Sequence, residues 1–296
     1  MAMTSWRAIP TTRKAGWLAL AASVLTVALI TYGGWVRASG SGLGCPDWPL
    51  CEGVLIPTLE GDTAVEFGHR VLAGVTIMLV AVSAWVAWSA RATDSLLAKV
   101  LVGALGLILV QAILGGITVL TELDGGVRLA HLAIAMSTLA LLTGGAVRGL
   151  DVQGSPYPGV RISSVLMVWA AAVVLVGGSI VAQSLSGACP GLPLCDDRSS
   201  MEAAGIHSLH RIAATLLLFA LVGLGVWLHK HRGTLFATVL NHTAILLIIL
   251  QIGIGVSAVS QSLPVYLRIM HLGMASLIWW AIVAQWLVAL KGRSPR

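Results

Sequence analysis

Apolar residues in this chain run in long stretches separated by short polar segments. Each stretch holds roughly twenty residues, enough to cross about 30 Å of hydrocarbon as an α-helix. The pattern predicts eight spans, at 15–36, 66–90, 97–120, 128–149, 162–186, 203–228, 235–260 and 265–290. The first follows Arg7, Arg13 and Lys14, as the core of a signal peptide would. Its apolar core is too long for one, and Gly33-Gly34-Trp35-Val36-Arg37 is a poor cleavage site, so an uncleaved span is expected.

Composition agrees. Hydrophobic residues make up 57% of the 296 and charged residues 10%, against about 25% charged in a soluble domain. The expectation is an all-α, multi-pass membrane protein. Charge then sorts the connecting segments. One side carries twelve Lys and Arg against Asp94 and Asp151; the other carries six Arg against ten acids. The basic side is expected to be cytoplasmic and to hold both termini, in a bacterial cell membrane. The net charge of +6 therefore reflects topology, and nothing in it points to nucleic acid. All four cysteines fall on the outer side, where disulfides persist.

The chain also repeats itself. Cys45-Pro-Asp-Trp-Pro-Leu-Cys51 matches Cys189-Pro-Gly-Leu-Pro-Leu-Cys195 at an offset of 144 residues. His69-Arg70 matches His210-Arg211 at 141, while Gln111 matches Gln251 and Arg128-x-x-His131 matches Arg268-x-x-His271 at 140. Four features at a nearly constant offset indicate duplication, with each half crossing four times and keeping its orientation. The expected division is 1–150 and 151–296, two pseudo-symmetric four-helix bundles joined by the segment Gly149–Arg161.

Of the eight histidines, His229, His231 and His242 lie near the basic side and read as solvated or structural. His69, His131, His210 and His271 each lie about one turn inside the outer end of an even-numbered span. Ionisable residues within spans usually mark function. Two facing imidazoles per half suit a heme iron, which takes two axial ligands, better than zinc, which takes about four. Arg128 and Arg268 each lie three residues before a histidine, on the same helix face and nearer the outer surface. Arg70 and Arg211 directly follow the other two. Arginine pairs with carboxylates through charge-assisted bonds, so all four are candidate contacts for heme propionates.

The halves differ at one informative place. Glu66 lies three residues before His69, and the matching residue in the second half is His207. A carboxylate beside a heme pocket can act as a base, so the first half reads as the substrate site and the second as the site of a permanent heme. The two C-x5-C loops, Cys45/Cys51 and Cys189/Cys195, are close enough for short disulfides, read as staples or as redox pairs. Gln111 and Gln251, each followed by glycines, suit helix packing or contact with heme.

Taken together, Glu66-Phe-Gly-His69-Arg70, the outer cysteine pair, Arg128-x-x-His131, His210-Arg211 and Arg268-x-x-His271 resemble the heme A synthase family across nearly the whole chain. The resemblance implies two four-helix bundles, heme O as substrate and heme A as product, through oxidation of a ring methyl to a formyl group. It implies a heme b cofactor on His210 and His271, with Glu66, His69 and His131 in the substrate site. Two cysteine pairs are similar to the family's two-pair bacterial members. Beyond heme O and the lipid bilayer, candidate partners are a heme O synthase and a quinone or thiol redox partner. Residue patterns alone also allow a diheme b-type electron carrier and, less well, a quinone-linked thiol oxidant that would leave the four histidines without a purpose.

Overall fold

A computed structural model describes residues 9–153, 160–196, 199–231 and 233–291. Part of the expected linker, 154–159, lies outside the described residues, as do Arg7, Arg198, Arg232, Arg293 and Arg296 of the charge pattern. Eight α-helices follow one another: α1 (Thr11–Ser39), α2 (Gly61–Ser89), α3 (Ser95–Leu120), α4 (Gly125–Gly149), α5 (Val160–Ala182), α6 (Met201–Lys230), α7 (Leu235–Ser260) and α8 (Val265–Lys291). All eight are long and apolar enough to cross a membrane. Helices satisfy their own backbone groups, which hydrocarbon demands. The described residues contain no strand, only an isolated bridge between Cys51 and Val54.

Number and order of spans agree with the sequence pattern, but several ends move, those of α2 and α5 among them. α2 begins at Gly61 instead of 66 because its first turn is polar, and Asp62 there accepts a hydrogen bond from Ser41 at 2.8 Å. Hydropathy sees only the apolar body of such a helix. α5 ends at Ala182 instead of 186, where Ser184 turns left-handed at φ 59°. Polar residues cap several other starts. Asp94, Asp124, Ser200 and Thr234 accept from backbone N–H groups three residues on, satisfying donors the helix cannot.

Within α1–α4 each helix packs on the next and α4 closes back on α1; α5–α8 do the same. The two rings meet along a seam where α1 and α4 face α8, and α4 faces α5. α4 and α8 are the central helices, with 50% and 56% of their spans buried against 17% for α5 and α7. The core crosses this seam without a break: Leu139 and Met136 join Leu217, Leu221 and Ile282 in one cluster. The Trp279 indole on α8 donates to the Met136 carbonyl on α4 at 2.9 Å. Where helices cross closest, small residues make room. A Cβ on Gly16 of α1 would lie 2.7 Å from the backbone of Gly149 on α4.

Equivalent contacts recur on the two flanks of the seam. Gly34 of α1 receives Leu272 of α8, while Gly178 of α5 receives Leu129 and Leu132 of α4. The α1–α2, α3–α4, α5–α6 and α7–α8 connections all lie at one end of the helices, hereafter the cysteine end.

Candidate functional site

His69 on α2, His131 on α4, His210 on α6 and His271 on α8 are all partly buried near the cysteine end. They assemble as two pairs, one in each ring of helices. His210 and His271 hold their ring centres 6.3 Å apart with planes inclined at 60°. His69 and His131 lie within electrostatic reach of one another. Among the described residues, no three His, Cys, Asp or Glu side chains converge on a point, so the donors come in twos.

Each ring rests on a glycine of the preceding helix. A Cβ on Gly33 would stand 3.1 Å from Cε1 of His69, on Gly115 3.4 Å from His131, on Gly177 2.9 Å from His210, and on Gly255 3.2 Å from His271. A methyl group would push on the imidazole at Gly33, Gly177 and Gly255 and would touch it at Gly115. Gln251, one turn before Gly255, donates to the His271 carbonyl at 2.9 Å and so ties α7 to α8 at the ring's height. The Nδ1 of His210 meets the Val173 carbonyl at 3.2 Å. The Nδ1 atoms of His69, His131 and His271 are buried without a partner, as are the Oε1 atoms of Gln111 and Gln251.

The four arginines divide into two sets. Arg70 donates to the carbonyls of Cys45, Asp47 and Leu50 at 2.7–3.0 Å and to Glu66 at 3.2 Å. Arg211 donates to the carbonyls of Cys189, Gly191 and Pro193 at 2.7–3.1 Å. Both therefore hold a cysteine loop down onto its helix bundle. Each loop is closed by a disulfide, Cys45–Cys51 and Cys189–Cys195. Arg128 and Arg268 are different: each has a buried Nε with no partner. A buried guanidinium donor without an acceptor is costly, and a carboxylate is the group that fits it.

Glu66 is buried, 6% exposed, and is paired with Arg70. His207, its counterpart, is equally buried but spends its Nε2 on the Leu185 carbonyl at 2.9 Å. Further differences surround the first pair. Tyr32 stacks on His69 with centres 5.8 Å apart; the residue 144 later is Val176. Trp48, in the first cysteine loop, covers Gly116 of α3, next to the seat of His131. Its counterpart is Leu192, and that of Gly116 is Val256. His229, His231 and His242 take no part: His231 stacks on Trp227, and His242 meets the Thr238 carbonyl of its own helix.

Tyr32, Gly33, Trp48 and Gly177 were not singled out by sequence. The repeat offset could have shown the two glycines, since Gly33-Gly34 maps onto Gly177-Gly178.

The pairs fit heme. Two imidazoles bonded to one metal through bonds of about 2 Å put their ring centres about 6 Å apart, as in His210 and His271. Comparison with known proteins agrees. Residues 16–283 match the COX15-CtaA family model, described as cytochrome oxidase assembly protein. The chain is 28% identical over 274 residues to a protein of Halalkalibacterium halodurans named heme A synthase, covering 87% of this chain and 91% of that one. A heme A synthase of Symbiobacterium thermophilum is 32% identical over 216 residues, 67% of this chain and 70% of its own. One of Shouchella clausii is 29% identical over 280 residues, 88% and 92%.

Proposed function

The chain belongs to the COX15-CtaA family of cytochrome oxidase assembly proteins, and from that premise we propose that it makes heme A by oxidising a methyl group of heme O to a formyl group. The observation that carries the reading is the asymmetry between two otherwise matched histidine pairs. Only the first has a buried carboxylate, Glu66, one turn along the helix from an imidazole.

In this reading residues 1–150 form the substrate half and 151–296 the cofactor half. Heme O lies between α2 and α4, its iron on His69 and His131. A b-type heme held by His210 and His271 supplies one-electron chemistry and an exit for electrons. Arg128 and Arg268 take propionates, because their unpartnered Nε atoms lie one turn nearer the cysteine end than the histidines. Arg70 and Arg211 act through the loops they hold. The cysteine end faces outwards and both termini face the cytoplasm, as the excess of Lys and Arg on the other end supports.

Turning a methyl group into a formyl group takes one oxygen atom, here from water, and releases four electrons, which leave to an external quinone or thiol redox partner, and four protons. Glu66 is the acceptor beside the ring, oriented by Arg70, whose own position is set by three carbonyls of the first cysteine loop. His207 cannot serve in the same way, because its Nε2 is committed to Leu185. Trp48 over Gly116 and Tyr32 on His69 cover part of the first site.

The test is to purify the protein from cells that make heme O, extract its hemes and identify them. Heme b with smaller amounts of heme O and heme A is expected. Heme b alone, at two per chain, would make the protein an electron carrier.

A further inference from the structure

Arg37 of α1 has no counterpart in the second half, where Val181 stands 144 residues later. It lies at the seam, within Coulombic reach of both Arg128 and Arg268. Those two reach across the seam in opposite directions. Arg268, from α8, donates to the Ala38 carbonyl beside Arg37 at 3.3 Å. Arg128, from α4, donates to the Ala182 carbonyl at the end of α5 at 3.4 Å. Both bonds are long, and the Nε atoms of both arginines remain buried and unpartnered.

Guanidinium groups from three helices thus lie within Coulombic reach, Arg128 and Arg268 each of Arg37, where the halves join. Among the described residues, none forms an ion pair with a carboxylate. The nearest acid in sequence, Asp124, caps its own helix through Val127. Arg128 and Arg268 also lie in the first turns of α4 and α8, where the helix dipole opposes a cation. Like charges this close in a poorly solvated place repel strongly, and uncompensated buried charge is costly. The arrangement is stable with anions bound.

We propose that Arg37, Arg128 and Arg268 form one carboxylate site at the seam, shared by a propionate of each heme. The proposal rests on the reading of two hemes given above. Arg128 stands one turn from His131 and Arg268 one turn from His271, so each arginine belongs to one heme. Arg37 is within reach of both and serves both. The shared cation places the acidic edges of the hemes side by side and couples the charge of one to the other. Carboxylates of heme are preferred over a lipid phosphate because Arg128 and Arg268 sit on the two most buried helices, against the seam and away from lipid.

The experiment uses the purified holoprotein from cells that make heme O, and compares wild type with Arg37→Leu and Arg37→Lys. Release of heme b and of heme O to excess apomyoglobin is followed, together with the midpoint potential of heme b. Arg37→Leu should keep the low-spin spectrum, since both axial histidines are untouched. It should release both hemes about tenfold faster, as expected for loss of a charge-assisted bond, and lower the potential of heme b, because a nearby cation favours the reduced form. Arg37→Lys should restore most of each effect. If Arg37→Leu does not accumulate, Arg37→Gln removes the charge and keeps donors. Unchanged release and potential would overturn the proposal, and a change confined to one heme would overturn the sharing. Unchanged hemes with loss of co-purifying anionic lipid would give the site to a lipid phosphate instead. A wild-type protein without heme would overturn this proposal and the reading beneath it together.

Discussion

His210 on α6 and His271 on α8 lie with 6.3 Å between ring centres, the His210 ring tied through Nδ1 to the Val173 carbonyl of α5 and the His271 carbonyl tied to Gln251 of α7. That spacing suits the role proposed for the pair, two imidazoles on one metal. Replacing either His210 or His271 with Ala should abolish stably bound low-spin heme b, since each supplies one axial bond. An absorption spectrum of the purified variants checks this. Normal low-spin bands in both would remove the pair as ligands.

The glycine seats give a subtler prediction. A Cβ on Gly177 would stand 2.9 Å from Cε1 and 3.2 Å from Nδ1 of His210. Gly177→Ala should therefore displace the ring, at about 1–3 kcal/mol for an overpacked site, and heme b retention should fall roughly ten- to a hundredfold. Gly223→Ala on α6, whose Cβ would meet nothing within 4 Å, is the control and should retain heme like wild type. Equal retention in the two variants would deny the seat its role.

The two disulfides should behave differently although their loops are built alike. Breaking Cys189–Cys195 by Ser substitution should lower thermal stability, about 2–4 kcal/mol being typical for a lost disulfide, with turnover per folded molecule kept. Breaking Cys45–Cys51 should lower turnover, because that loop carries Trp48 onto Gly116 and fixes Arg70 beside Glu66. Melting curves and heme A yield per bound heme b separate the two outcomes. Equal loss of both quantities for both pairs would contradict the distinction.

Much of this architecture was legible in the chain. Eight apolar runs, a repeat offset near 140 and four histidines at matched depth lie in linear order and need no tertiary information. Arginine roles were only half legible. Arg128 and Arg268 precede their histidines by three residues and share their face; Arg70 and Arg211 adjoin theirs and must point elsewhere on a helix. The structure turns the second set onto the cysteine loops. Arg37 escaped because its meaning depends on α1 lying against α8, and no repeat partner drew attention to it. Tyr32, in an apolar run, and Trp48, in a loop, escaped for the same reason: an aromatic residue looks like any other until its neighbours are known.

The central claim is that Glu66, on the face of α2 that carries His69, takes the proton during oxidation of heme O. Glu66→Gln keeps the shape and a hydrogen-bonding group towards Arg70 but cannot accept that proton at neutral pH. General base catalysis typically contributes about a hundredfold to ten-thousandfold. The decisive measurement is the heme content of membranes from heme O-producing cells that express wild type or Glu66→Gln at equal levels. Wild type should yield heme A; the variant should carry the same heme b and yield no heme A above about one per cent of wild type. Heme A in the variant at near wild-type levels would contradict the account.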